Sequence, residues 1–153
     1  MEHLLGTAAR LRAWGNRPEV CVAGLFHSIY GTQSFHVQSV PLERRAEVAA
    51  LIGTEAETWA FHFCVLNRRE LRQTPPADPV LAHDHTSGAE RLVPGAMVTD
   101  LLEIEAANLL DQVPARSEAE GLVDYMTDVE MALGPRVSPG ARAVLLRWLN
   151  PSD

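Results

Sequence analysis

Cysteine, aromatic residues and basic charge are all scarce in this chain. Two cysteines in 153 residues, Cys21 and Cys64, are too few for a disulfide framework. Each lies in an apolar stretch and reads as a reduced core residue, which suits a cytoplasmic protein, although a bridge between the two stays open on sequence alone. Lys and Arg number 13 against 20 Asp and Glu, a net charge of -7, and this leaves no basic face for nucleic acid. No apolar run reaches the roughly 18 residues that a bilayer demands. The N-terminal "MEHLLGTAARLRAWG" lacks a basic leader and a continuous apolar stretch, so no signal peptide is expected. Internal repeats, low-complexity tracts, a Gly-rich phosphate loop, a G-x-S-x-G elbow and a paired-cysteine zinc pattern are also missing.

What remains is a composition of 46% hydrophobic and 22% charged residues, that of an ordinary globular domain spanning residues 1–153. The apolar periodicity is helical almost throughout. A first helix is predicted from Glu2 to about Trp14, ended by Gly15-Asn16, and a second from Pro18 to about Ser28. A third runs from Leu42 to Ile52 and stops at Gly53. The T-x-x-E pattern Thr54–Glu57 reads as a capping box opening a fourth helix, which continues into "NRRELR". The Pro-rich stretch 73–95 is predicted as one long loop, read equally as a lid or a surface excursion. Helices follow over Ala96–Pro114, from a second capping box at Ser117–Glu120 to Leu133, and from Ser138-Pro139 to Asn150. The expected fold class is all-α: a compact bundle of about seven helices with no convincing strand.

Chemistry-bearing residues concentrate around "VCVAGLFHSIYGTQSF". His27 ends an apolar run and shares a helix face with Val20, Ala23 and Gly24. A buried histidine is costly unless its nitrogens find partners. His3 on the first helix and Asn108 on the late helix also sit among apolar neighbours. Three helices are thus expected to aim one polar side chain each into a shared interior, although each histidine alone also reads as a satisfied core residue. Ser28, Tyr30 and Thr32 supply hydroxyl donors at the mouth of such a pocket. Arg68, Arg69 and Arg72 cluster before the Pro-rich stretch, and guanidinium forks suit phosphate or carboxylate. His83 and His85 flank Asp84 in that stretch and are placed to close over a site, while His62 reads as a core residue or a further ligand contact.

The order of these pieces resembles the HD superfamily, most closely the alarmone hydrolase domain of stringent-response enzymes. It is also similar to an uncharacterised family of short HD-related proteins sharing the "GLFHSIYGT" block. In the resemblance His3 matches the histidine of the first helix, and "AGLFHSIYGT" matches the His-Asp helix with His27 as its histidine. "AEVAALIGTEAETWAFHF" resembles the helical hairpin that follows, and "EIEAANLL" the helix with the final aspartate. The likeness covers roughly Glu2 to Val113. It implies a divalent metal (Fe, Mn or Zn) held by His3, His27 and Asn108, with Ser28, Tyr30 and Glu105 as catalytic groups. Thr32, Arg68, Arg69, His62, His83 and His85 are the expected ligand contacts. Ser28 and Asn108 replace the two metal-binding aspartates, however, and Gly31-Thr32 replaces an acidic pair. Glu105, one turn before Asn108, would restore one carboxylate.

The leading expectation is therefore a metal-dependent hydrolase of a phosphorylated or nucleotide-like small molecule. The alternatives are a catalytically degenerate module that binds a small ligand, an HD-type iron oxygenase, or an interaction domain. The expected partner is a small molecule, with no nucleic acid and no membrane; a homo-oligomer is allowed.

Overall fold

The computed structural model describes residues 2–33, 35–112, 127, 131 and 136–150. Seven α-helices lie among them: α1 Glu2–Ala13, α2 Pro18–Leu25, α3 Arg45–Ile52, α4 Thr54–Val65, α5 Arg68–Gln73, α6 Gly95–Gln112 and α7 Pro139–Leu149. A 3-10 turn over Leu42–Arg44, leading into α3, and two short strands, β1 Val80–His83 and β2 Glu90–Val93, complete the described elements. The helix expected over Ser117–Leu133, with its capping box, falls outside the described residues apart from positions 127 and 131.

The central element is α6. Its buried residues include Val98, Leu101, Leu102, Ile104, Ala106, Ala107 and Leu110, and α1, α2, α4, α5 and α7 all touch it. Two glutamates on this helix are also buried, and each is answered by partners. Glu103 accepts from the Asn16 side chain at 2.6 Å and from the backbone and hydroxyl of Ser138, tying the α1–α2 corner to the start of α7. Glu105 accepts from Arg72 Nη1 at 2.8 Å and from Arg68 Nε at 3.4 Å. Against α6 lie α1 and α2, which approach each other closely because Gly24 has no side chain. A Cβ added there would overlap Leu11 Cδ1.

Several helix ends follow from local chemistry. Proline occupies the first turn of α2 and α7, and Ser138 caps α7 by accepting from Ala141 N. Asn67 caps α5 in the same way, accepting from Glu70 N. The expected capping box at Thr54–Glu57 does not form. Gly53 occupies the cap position, and the Glu57 carboxylate is drawn inward by Arg45 and by the Tyr30 hydroxyl.

Three further expectations need correction. The second helix stops at Leu25 rather than Ser28, and turns carry the chain through Phe26–Tyr30. The fourth helix does not run on into "NRRELR". Leu66 turns extended and pairs with Asp84, so α4 and α5 are separate helices. The stretch 73–95 is not one structureless loop either. It holds an antiparallel hairpin with Val80 opposite Val93 and His83 opposite Glu90. Val80, Ala82 and Val93 face the core while Leu81 and Leu92 face solvent, the period-two alternation of a one-sided sheet. Its turn is organised by buried Asp84, which accepts from Thr86 N and Oγ1, from Ser87 N and from the Arg91 guanidinium. The fold is mostly helical with a small sheet. Both cysteines are buried and free, as expected.

Candidate functional site

The end of α2 explains how a histidine is buried there. A helix terminus leaves carbonyls without intrahelical partners. His27 lies just beyond Leu25, and its Nδ1 donates to the Gly24 carbonyl at 2.7 Å. A carbonyl only accepts, so the hydrogen sits on Nδ1. Burial pushes the pKa of His27 down from 6.5 to about 4; the Gly24 and Asn108 hydrogen bonds oppose this, while the Arg68 charge adds to it. His27 is a neutral imidazole at physiological pH, and Nε2, the nitrogen beside Asn108, is its accepting atom.

His3, from the first turn of α1, reaches the same place. The two imidazole centroids stand 5.3 Å apart, edge to face at 83°. His27 makes a second edge contact with Phe63 of α4, also at 5.3 Å. Together these rings form part of the wall of a cavity of about 630 Å³, a volume suited to a small-molecule ligand. Ser28, Thr32, Phe35 and Ser39 contribute from the connection after α2, and Arg68 from the first turn of α5. From α6 come Glu105, Asn108, Leu109 and Gln112, all on one face by their spacing of three and four.

Arg68 is the cation of this cavity. Its guanidinium lies 4.3 Å over the Phe63 ring, Nη1 donates to the Phe63 carbonyl at 2.6 Å, and Nε donates to Glu105. These bonds hold the group in place and leave Nη2 for a ligand. Around the cavity, Arg10, Arg68 and Arg72 face the carboxylates of Glu105 and Asp111.

Of the expected site residues, His3, His27, Ser28, Thr32, Arg68, Glu105 and Asn108 meet in this cavity. The other five lie elsewhere. Tyr30 donates to Glu57 at 2.8 Å, and burial and that carboxylate hold its phenol pKa well above the usual range. It lines a separate hollow of about 120 Å³ together with His85, whose Nε2 bonds the Cys64 carbonyl at 2.9 Å. His62 donates from Nδ1 to the Thr58 carbonyl and packs its edge on Phe61. His83 is exposed between Glu70 and Glu90, and Arg69 is exposed on α5. Cys64 is no nucleophile: burial raises its pKa to about 11.

The structure also adds residues that the sequence reading did not assign. Phe63 supports both Arg68 and His27. Gln112 Nε2 donates to Asn108 Oδ1 at 2.9 Å and stands 3.4 Å from His3 Nε2. Asp111 accepts from His3 Nδ1 at 3.1 Å. Both α6 residues lie three or four positions after Asn108, a spacing that places them on its face.

The donor set can be tested against the divalent metal that the HD resemblance implies. The imidazole half resembles a metal site in that each ring commits Nδ1 to an oxygen acceptor, although Gln112 stands at Nε2 of His3 and Asn108 at His27. The carboxylate half does not. Glu105 is engaged by two guanidinium groups, Asp111 by His3 and Arg10, and Arg68 places a positive charge in the space itself. Among the described residues, no group of three or more His, Cys, Asp or Glu side chains is arranged to hold a metal ion. The described residues around the cavity do not by themselves fit a resident dication.

A family model described as a domain of unknown function (DUF6817) matches residues 1–68. The match contains both imidazoles, Phe63 and Arg68, and ends before the α6 wall of the cavity. No curated protein and no solved structure matches the chain. No helix among the described residues is long and apolar enough to cross a membrane.

Proposed function

We propose that this chain binds a small phosphate- or carboxylate-bearing molecule in the cavity between α1, α2, α5 and α6. In this reading it is an HD-derived module in which the metal ligands have given way to an anion-binding set. The observation that carries it is Arg68: a guanidinium stacked on Phe63 and held at Nε and Nη1, with its remaining edge available beside two imidazoles. A donor already fixed in place spends little ordering entropy on binding. Ser28, Thr32 and the amides of Asn108 and Gln112 add uncharged hydrogen-bonding groups. Neutral His27 adds a proton acceptor, so acid–base chemistry on the bound molecule is compatible with the same site. The free cysteines support a reducing, cytoplasmic setting.

Calorimetric titration of the purified chain with phosphate esters and nucleotides, alongside elemental analysis, tests this. Binding by metal-free protein, abolished in Arg68→Ala, is the expected result. Stoichiometric metal that disappears in His27→Ala, together with turnover of a phosphate ester, would instead establish the metal-dependent hydrolase.

A further inference from the structure

Asp111 is absent from the expected site, yet it bonds one of that site's two imidazoles. Its Oδ2 accepts from His3 Nδ1 at 3.1 Å and its Oδ1 from Arg10 Nε at 3.4 Å. The carboxylate rests against α1 at Gly6, where an added Cβ would overlap it, so only glycine leaves it room. A carboxylate has no hydrogen to offer, so Nδ1 of His3 carries one, which leaves Nε2 as the ring's accepting nitrogen, with only Gln112 Nε2 near it at 3.4 Å. The Gly24 carbonyl sets His27 the same way. Two imidazole acceptors therefore stand beside the Arg68 donor on one cavity wall. A bare anion would satisfy the guanidinium and leave those acceptors facing its own negative oxygens. A ligand that also carries hydroxyl hydrogens matches both.

We infer that Asp111, seated by Gly6, is a positioning residue that holds His3 as an acceptor, and that the cavity selects anions bearing hydroxyl groups. The inference rests on the anion-binding reading above and adds the chemical class of the ligand.

Two measurements on the full chain test it separately. The first reads the histidine tautomers of the ligand-free protein from long-range nitrogen–proton NMR. His3 is expected as the Nδ1–H form, shifting toward Nε2–H in Asp111→Ala and Gly6→Ala while His27 stays Nδ1–H. The second compares glycerol phosphate with propyl phosphate, which share the phosphate and carbon skeleton and differ in hydroxyl groups. Wild type should prefer glycerol phosphate about tenfold, the worth of a well-made hydrogen bond. Asp111→Ala, which has no acceptor for Nδ1–H, should lose that preference while keeping its affinity for propyl phosphate. An Nε2–H His3 in wild type overturns the role of Asp111. Equal binding of the two esters, or a preference that survives Asp111→Ala, overturns the selectivity. Failure of both esters to bind overturns the anion-binding reading itself, and the tautomer result still decides whether Asp111 positions His3.

Discussion

His27 lies edge-on to His3 with ring centroids 5.3 Å apart, although the two belong to different elements. They meet because α1 and α2 close on each other over Gly24, with Leu11 filling the space a side chain would need. Gly24→Ala should therefore cost about 1–3 kcal/mol by overpacking. It should also weaken ligand binding by prising the imidazoles apart. Chemical denaturation and calorimetry read the two effects independently.

His27 makes stability depend on pH with a definite sign. Its pKa is about 4 in the folded chain against an ordinary 6.5, so the unfolded chain takes up the proton first. The native state is then at full strength above about pH 6.5 and loses about 1.4 kcal/mol per pH unit as the pH falls toward 4. His62, also lowered by burial, contributes in the same direction. Denaturant unfolding across this range should give a shallower slope for His27→Gln than for wild type.

Arg68 and Arg72 share Glu105 but differ in what they do. Arg68→Ala should reduce affinity for a phosphate ester by about tenfold to a hundredfold, the worth of a charge-assisted hydrogen bond. Its cost in stability should be smaller than that of Arg72→Met. The latter removes the shorter guanidinium contact of a buried carboxylate and should cost about 3–5 kcal/mol. Thermal melts of the two variants give the comparison.

The hairpin supplies a control. Burial alone would raise the pKa of Asp84, but hydrogen bonds from Thr86, Arg91 and Ser87 hold it well below the usual carboxylate range. Asp84→Ala should destabilise the protein by about 2–3 kcal/mol, since it strips those donors of their acceptor. Ligand affinity should not change, because neither Asp84 nor its partners line the cavity.

The helical part of this fold was legible because its punctuation is local. Pro18, Ser138-Pro139 and Gly15-Asn16 each mark a helix end through their own backbone chemistry. The hairpin was hidden because each strand is four residues long, too short for period-two alternation to stand out beside prolines. The Thr54–Glu57 pattern misled for a tertiary reason: Tyr30 and Arg45 claim the glutamate that a capping box requires. In the cavity, His3, His27 and Asn108 were legible as polar residues on apolar faces. Asp111 and Gln112 were within reach through their helical spacing from Asn108. Tyr30 and His85 turn away into the hollow behind Thr32, and no local pattern in "HSIYGT" or "HDHT" records that turn.

The most direct measurement is an NMR titration of histidine-labelled protein with glycerol phosphate. The ring signals of His3 and His27 are expected to move together along one saturating isotherm, while exposed His36 and His83 stay still. Movement confined to the exposed rings, or none at all, would contradict a shared cavity in which those two imidazoles meet an anion.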